Sequence, residues 1–402
     1  MNILVLAPQP FFLERGTPIA VRLAVETLAK TGHAVDLLVY HEGEDVSIHG
    51  VRITRIAKPP GVRGVPPGPS WKKLVCDVFF LAKFLGMTRA RRYDVIHAVE
   101  EAAAIAQGTR WLHRTPYVVD MDSSLASQLE EAYPWIAPFA GILHAAEART
   151  LRGAVAVVAV CKELANVAKK AGVLAPIAVV EDAALGEADG TRDGAMPASR
   201  SLRDELGIPA GTPLVLYVGN LQKYQGVDLL VDAFGRTTRP GSLVVVGGDP
   251  ARIERMRERV RSLGLEGRVH CAGPRPLADL ARCLAQADVL VSPRLRGVNT
   301  PMKIYSYLVS GVPIVATDIL SHTQVLTEEV AALAPPDPES FARALDRLLG
   351  DPALRARLGA AGRALALRQF TREAFDRKLL AFYRDVEACV IAGRGRPARA
   401  RP

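Results

Sequence analysis

The stretch "NILVLAPQPFFLERGTPIAVRLAVETLAKTGHAVDLLVY", residues 2–40, decides the fold class of this chain. "NILVLAP" is a continuous apolar run, which is typical of a strand buried on both faces. "PIAVRLAVETLAKTG" has helical periodicity, with Thr17 predicted as N-cap, Pro18 as first helical residue and Gly32 just past the end. "AVDLLVY" is a second buried strand. A strand–helix–strand unit of this kind predicts a parallel sheet covered by helices.

The same alternation continues along the chain and is interrupted once. Residues about 183–212, rich in Gly, Ala, Ser, Pro and charge, are predicted to be an interdomain linker. Three helices are predicted around 337–350, 352–368 and 371–391, followed by a basic, disordered tail. The predicted strands are "VRITRI", "DVIHAV", "PYVVDM" and "VAVVAV" before the linker, and "PLVLYVGN", "SLVVVGG", "RVHCAG", "DVLVSP" and "VPIVAT" after it. The expected fold is α/β, with two Rossmann-like domains facing across a cleft that holds the ligand.

Composition narrows the class of protein further. The chain has 402 residues, of which 49% are hydrophobic and 23% charged, as expected for two well-cored soluble domains. The net charge of +9 indicates an acidic partner: nucleotide phosphates, anionic lipid or nucleic acid. Five cysteines without CxxC spacing suggest free thiols in a reducing cytoplasm. "MNILVLAPQP" lacks a basic segment and is predicted to be a first strand, not a signal peptide. No apolar run of about 20 residues predicts a membrane span.

Two loops that follow predicted strands are candidate binding sites. "ERGTP", residues 14–18, offers Gly16 and Thr17 at a helix start, and a binding role and an ordinary loop are weighed equally. "VGNLQKYQG", residues 218–226, combines Gly219 with Asn220, Lys223 and Gln225. A site for phosphate or sugar oxygens is favoured there over a solvated loop, because position and chemistry agree.

A third candidate is "RGVNTPMKIYSYLVSG", residues 296–311. Thr300 is predicted as N-cap, Pro301 as first helical residue and Gly311 as the stop. Lys303 then falls in the first turn, where the helix dipole disfavours a cation by about 0.3–1 kcal/mol. Either an anion binds at this helix start, or the lysine is solvated, and so small an energy does not decide between them.

Polar clusters end two strands of the first half. In "DMDSSLASQ", residues 120–128, Asp120 and Asp122 end a strand and are followed by Ser123. A carboxylate there is a candidate for a base or for an acceptor of hydrogen bonds from sugar hydroxyls, and one of the two aspartates is alternatively a helix cap. In "HAVEE", His97 and Glu100 form a similar group, although a lone histidine there is more often a structural residue.

Residues 69–94, "PSWKKLVCDVFFLAKFLGMTRARRYD", mix aromatic and basic side chains. They predict either an amphipathic helix on a membrane surface or a helix that packs its aromatics into the domain, and the second interpretation has at least equal weight. Nucleic acid is a poorer interpretation, because no recognised binding motif accompanies the charge.

The order of motifs over roughly residues 1–385 resembles retaining glycosyltransferases of the GT-B fold, in the large family 4 group. The resemblance rests on "LAVETLAKTGHAVDLLV", "YDVIHA", "GIPAGTPLVLYVGNLQKYQGVDLLVDAF", "GRVHCAGPRPLADLARCLAQADVLVSP" and "KIYSYLVSGVPIVATDI". The last motif is similar to a subgroup found in polysaccharide and glycolipid gene sets.

The resemblance implies two domains with different ligands. A nucleotide diphosphate sugar would bind to the C-terminal domain, 186–369. A glycan or lipid-linked acceptor would bind to the N-terminal domain, 1–185, which a helix at about 370–392 rejoins before the tail, 393–402. It implies no metal and no cofactor, because side-chain cations and helix amides neutralise the leaving diphosphate. The expected location is cytoplasmic, with peripheral contact at the inner membrane face as an option, and no nucleic acid partner.

The resemblance also assigns roles to residues. The catalytic candidates are Asp122, Lys223 and Lys303. The donor-binding candidates are Gly219, Asn220, Gln225, Gly248, Pro274, Asn299, Thr300, Pro301 and Ser306. The cleft or acceptor candidates are Gly16, Thr17, His97, Glu100 and Ser123. No metal ligand is predicted.

This chain departs from the family pattern at its usual catalytic positions. The family has an arginine and a lysine where Asn220 and Gln225 stand, and two glutamates where Val298 and Ser306 stand. The family histidine falls at Asp122. The site is therefore either modified or inactive. A non-catalytic module that binds sugar nucleotides or a partner glycosyltransferase stays open, as does, with less support, a non-hydrolysing nucleotide-sugar epimerase.

Overall fold

The computed structural model describes residues 1–66, 68–185 and 201–394, and the chain forms two compact units. Unit one contains Met1–Glu181 and the residues from Phe375 onward, and unit two is Asp182–Ala374. The predicted boundaries were 185/186 and about 370. The predicted linker at about 183–212 lies partly outside the described residues, and the predicted tail lies outside them from residue 395.

Unit one is a parallel sheet with the strand order β3-β2-β1-β4-β5-β6-β7 in the described residues. Its strands are β1 Asn2–Ala7, β2 Ala34–Val39, β3 Val51–Arg55, β4 Val95–Val99, β5 Tyr117–Met121, β6 Ala156–Ala159 and β7 Ile177–Val179. Its helices are α1 Gly16–Lys30, α2 Trp71–Ala90, α3 Ala102–Gly108, α4 Arg110–His113, α5 Leu125–Ala132, a 3₁₀ helix Pro134–Phe139, α6 Ala140–Arg152 and α7 Lys162–Lys170.

Unit two is a second parallel sheet, with the order β10-β9-β8-β11-β12-β13 in the described residues. Its strands are β8 Leu214–Val218, β9 Ser242–Val246, β10 Val269–Gly273, β11 Val289–Ser292, β12 Ile314–Thr317 and β13 Ala332–Ala334. The helices are α8 Leu202–Leu206, a 3₁₀ helix Lys223–Gln225, α9 Val227–Gly235, α10 Pro250–Ser262, a 3₁₀ helix Leu277–Asp279, α11 Leu280–Ala285, α12 Lys303–Ser310, α13 Leu320–Thr323, α14 Pro338–Gly350 and α15 Pro352–Gln369. Helix α16, Arg372–Arg394, begins in unit two and continues into unit one.

The two doubly wound sheets confirm the predicted α/β class with two Rossmann-like domains. In each sheet the chain leaves the first strand in one direction and later returns to its other side, so the strand order reverses between β1 and β4 and between β8 and β11. Ligands of open α/β sheets bind beyond the carboxyl ends of the strands at such a reversal. Most of the predicted strands are buried. The exceptions are β3 and β10, which are edge strands and are mostly only partly buried.

Some local predictions need correction. Helix α1 begins at Gly16, and the residue before it is Arg15, with no side-chain cap, so Thr17 is not the N-cap. Gly32 ends the helix with φ +82°, as predicted. All five cysteines are free. Within the described residues, no helix has the length and apolar character that a membrane crossing needs.

Candidate functional site

The predicted donor-binding residues collect at the carboxyl edge of the sheet in unit two. Gly219 follows β8, Gly248 lies just beyond β9, and Pro274 follows β10. Asn299 and Thr300 lie between β11 and α12. Since β8 and β11 are neighbours at the point where strand order reverses, the segments after these two strands form the candidate site.

The loops after β8 and β9 approach each other through glycine backbone. The Gly219 N–H donates to the Val246 carbonyl at 3.0 Å. Gly247 has φ +113°, and a Cβ there would lie 2.1 Å from the Gly219 carbonyl oxygen. A Cβ on Gly219, in turn, would lie 3.0 Å from Nζ of Lys303. Glycine at these positions therefore brings main chain, without side-chain bulk, up to the lysine.

Lys303 is the first residue of α12, and its ammonium group is buried. Part of the side chain is accessible, but Nζ has no hydrogen-bond partner among the described residues. It lies 4.1 Å from the centroid of the buried Tyr217 ring, which gives a cation–π contact. Burial lowers the pKa of Lys303 to about 7, and the charge of Arg294 adds to this. A buried ammonium that lacks an acceptor is rare in folded proteins and suits an anionic ligand.

The helix start around Lys303 differs from the prediction. Thr300 is not an N-cap and Pro301 is not the first helical residue, because α12 begins at Lys303, is preceded by Met302 and has no side-chain cap. Instead, the Ile304 N–H donates to the Pro301 carbonyl at 2.9 Å. The Thr300 hydroxyl is buried without a partner in the described part of the chain. Two unsatisfied polar groups, Lys303 Nζ and Thr300 Oγ1, therefore flank this helix start.

Arg294, which the sequence analysis missed, holds the loop before α12. Its Nε donates to the Arg296 carbonyl at 2.8 Å. Its Nη1 and Nη2 donate to the carbonyl of Asn299 at 2.8 Å and to Oδ1 of Asn299 at 3.0 Å. The rigid guanidinium fork thus fixes residues 296–299. The available signal was "SPR": an arginine directly beyond the carboxyl end of a central strand.

A neutral histidine, which the sequence analysis also missed, lies next to the segment that holds Arg294. His322 is completely buried; its Nδ1 donates to the Thr317 carbonyl at 2.8 Å and its Nε2 accepts from Ser292 Oγ at 2.9 Å. Burial lowers the pKa of His322 to about 4. The Thr317 hydroxyl donates to the carbonyl of Arg294. His322 is therefore a structural residue that fixes the end of β11, and its ring stays neutral near neutral pH.

The other residues that were predicted to bind the sugar donor have separate contacts at this edge of the sheet. The Asn220 carbonyl accepts from Tyr217 Oη at 2.7 Å, and its Oδ1 accepts from the Gln222 N–H at 3.1 Å, which closes the loop. Gln225 is buried, with Oε1 unpartnered in the described residues. Lys223 is exposed, whereas the ammonium of Lys303 is buried. Ser306 is buried, and its Oγ accepts from the Leu185 N–H at 2.8 Å.

The candidates in unit one lie at the carboxyl ends of β4 and β5. His97 is buried; its Nε2 donates to Asp120 at 2.9 Å and its Nδ1 accepts from Tyr383 Oη at 2.8 Å. Because both ring nitrogens are used to join β4, β5 and α16, the structural interpretation of His97 is favoured. The Gly16–Thr17 pair starts α1, and a Cβ on Gly16 would meet no atom within 4 Å, so sterics do not require that glycine.

A polar pair accompanies that histidine. Ser123 donates to the Glu100 carboxyl at 2.7 Å. Burial, followed by the charge of Glu101, raises the pKa of Glu100 to about 7. Asp122 follows β5 and does not cap α5, since Ser124 accepts from the Ser127 N–H and caps that helix. Glu100, Asp122 and Ser123 are thus the polar candidates at the carboxyl ends of β4 and β5 in unit one.

Comparison with known proteins defines the class to which these two sites belong. Residues 15–181 match the family model described as "Glycosyl transferase 4-like domain", and residues 199–365 match "Glycosyl transferases group 1". The two matches together cover most of the chain, and with the two parallel α/β sheets they support a glycosyltransferase of the GT-B fold.

Individual relatives are more distant. The D-inositol 3-phosphate glycosyltransferase of Jonesia denitrificans is 28% identical over 204 residues, which is 48% of each chain. The chain thus spans about half the length of the curated relatives of this kind that it matches. Sucrose-phosphate synthase from Thermosynechococcus elongatus superimposes with a TM-score of 0.78 at 23% identity, covering 96% of this chain and 99% of that one. HepE from Anabaena, solved in complex with UDP-glucose, gives 0.71 at 16% identity, covering 96% and 99%. At these identities the solved structures show the fold alone.

Proposed function

We propose that the protein transfers a sugar from a nucleotide diphosphate sugar to a hydroxyl of a glycan or lipid-linked acceptor, with retention of anomeric configuration. The observation that carries this proposal is the ammonium of Lys303, which is buried at the start of α12 without an acceptor in the described part of the chain. The oxygen atoms of a donor diphosphate would accept hydrogen bonds from Lys303 Nζ and Thr300 Oγ1. HepE, which has the same fold, was solved in complex with UDP-glucose, a donor of the proposed kind.

The chemistry asks the site to stabilise a leaving nucleoside diphosphate. Lys303 and the first amides of α12 would take the negative charge that develops there, and the glycine backbone of residues 219 and 247 would allow the phosphates to come close. The proposed reaction needs no metal ion, because fixed positive charge of the protein would neutralise the leaving diphosphate. Glu100 and Asp122 would contact the acceptor or the transferred sugar from unit one. Polysaccharide, glycolipid or cell-envelope glycan synthesis is the proposed setting.

A donor screen tests the proposal. We expect one of the UDP-, GDP- or ADP-sugars to raise the melting temperature, since a ligand at 100 times its Kd stabilises the folded state by about 2.7 kcal/mol. Release of nucleoside diphosphate from that donor, at the same rate with and without EDTA, is the expected activity. Stabilisation without turnover on any acceptor would favour the non-catalytic binding module. No stabilisation by any donor would contradict both.

Arg294→Lys is expected to weaken binding of that donor roughly 10- to 100-fold while the fold is kept. A lysine retains the charge but cannot donate to the Arg296 carbonyl and to both oxygens of Asn299 at once, so the loop before α12 loses its anchors. Titration calorimetry measures the change. Arg296→Lys is the matched control, because Arg296 is exposed. Equal affinities of the two variants would show that charge alone matters at position 294.

A further inference from the structure

Helix α2 of unit one has two apolar faces, and only one of them is covered. Cys76, Phe80 and Phe84 are buried against the domain. On the opposite side Trp71, Leu74 and Val78, at spacings i, i+3 and i+7, are exposed. Two phenylalanines therefore pack inward, as the packing interpretation predicted, while the tryptophan and two aliphatic side chains face solvent.

The elements beside α2 extend this apolar surface. Helix α4 packs against α2, with the rings of Phe84 and His113 5.3 Å apart, and exposes Trp111. The 3₁₀ helix Pro134–Phe139 exposes Trp135, and the Tyr133 hydroxyl just before it lies 3.4 Å from the Pro69 carbonyl at the start of α2. The chain contains three tryptophans. They are 62%, 75% and 74% exposed, and all lie on these three elements. Tryptophan is rarely so exposed without a partner.

The exposed charge on α2, α4 and the segments next to them has one sign, whereas the exposed Glu131 lies just before the third element of this surface. Every exposed charged residue that the structure describes between 57 and 114 is cationic: Lys58, Arg63, Lys83, Arg89, Arg92, Arg110 and Arg114. The acidic residues of the same range are half-buried. Such a surface attracts an anionic partner, and it would repel a second copy of itself.

We propose that the α2 face, defined by Trp71, Leu74, Val78, Trp111 and Trp135, docks on the surface of an anionic lipid bilayer. Indole rings favour the headgroup level of a bilayer, where the ring is buried and the N–H stays hydrated. Leu74 and Val78 insert among the acyl chains, and the surrounding lysines and arginines contact anionic headgroups. The face would hold the enzyme at a membrane without any spanning segment.

Vesicle binding followed by intrinsic fluorescence tests this inference directly, since all tryptophan emission comes from the α2 face. With vesicles of phosphatidylcholine and phosphatidylglycerol, we expect a blue shift of the emission and co-flotation of the protein. Pure phosphatidylcholine should give much weaker binding. Leu74→Asp is expected to reduce affinity at least about tenfold, because an aliphatic anchor is lost and a repelled charge is gained. Lys83→Gln and Arg89→Gln should each cost roughly fivefold.

The matched control is Leu174→Asp, a fully exposed leucine beyond α7, which should bind vesicles like the wild type. Circular dichroism melts verify that both aspartate variants fold. Absence of binding to anionic vesicles, or equal binding by Leu74→Asp and wild type, would overturn the inference. A dimer in lipid-free solution that Leu74→Asp dissociates would also overturn it and assign the face to self-association. None of these readouts depends on a sugar donor.

Discussion

Lys303→Met is expected to make the free protein more stable and to weaken donor binding by about two to three orders of magnitude. In the free protein the ammonium is buried, and none of the described residues provides an acceptor for it, so an apolar side chain of similar length should gain on the order of 1–2 kcal/mol near neutral pH. In the donor complex the same ammonium would stabilise the diphosphate, and methionine cannot replace it. A residue whose removal stabilises the fold while it abolishes binding is kept for function.

The pH dependence gives this prediction a second readout. Because the pKa of Lys303 is lowered to about 7, between that pH and about 10.5 the unfolded chain binds a proton that the folded chain has released. The lysine therefore makes folding stability rise with pH over this window, and Lys303→Met should remove that rise. Donor affinity should be constant below pH 7 and should fall above it, as the free protein loses the charge.

Thermal melts and calorimetry across this pH range measure both effects. Lys223→Met is the control, since Lys223 is an exposed cation at the same edge of the sheet. It should leave stability nearly unchanged and affect donor binding less than Lys303→Met. Wild-type donor affinity in Lys303→Met would show that the lysine is not the phosphate ligand, and a loss of stability in that variant would contradict the cost assigned to its burial.

Gly247→Ala is expected to destabilise unit two by roughly 3 kcal/mol or more and to eliminate donor binding. Its φ of +113° is unfavourable for alanine, and the new Cβ would lie 2.1 Å from the Gly219 carbonyl oxygen, so the loops after β8 and β9 must separate. Gly264→Ala is the matched control. Gly264 also has a positive φ, +65°, but nothing lies within 4 Å of its Cβ, so only the backbone cost of about 1–2 kcal/mol remains. Urea unfolding that gave equal losses for both would show that the close approach of the loops is not rigid.

The elements that the sequence predicted well are those that depend on neighbouring residues alone. Long apolar runs such as "NILVLAP" and "PLVLYVGN" predicted buried strands, and both form. The three-residue strands β7 and β13 were missed, because so short a run carries no period. The caps predicted at Thr17 and Thr300 were wrong. Helix starts depend on which partners the hydroxyl meets in the folded chain, and Thr300 Oγ1 is buried where no backbone N–H of the described residues reaches it.

By itself the sequence determined the two α/β sheets, the glycine loops beyond their strands and the place of Lys303 in the first turn of a helix. Only the tertiary structure decided what that lysine is. Tyr217 and Gly219, far away in the chain, cover its ammonium, and Arg294 adds a second charge. Arg294 in turn depends on Thr317 and His322, which join the end of β12 to the end of β11. The burial of Lys303 and the charges near it come from residues that only folding brings together. A local sequence pattern therefore identifies the lysine, but it does not determine the pKa of the side chain, whether the ammonium has a partner or whether it can bind an anion.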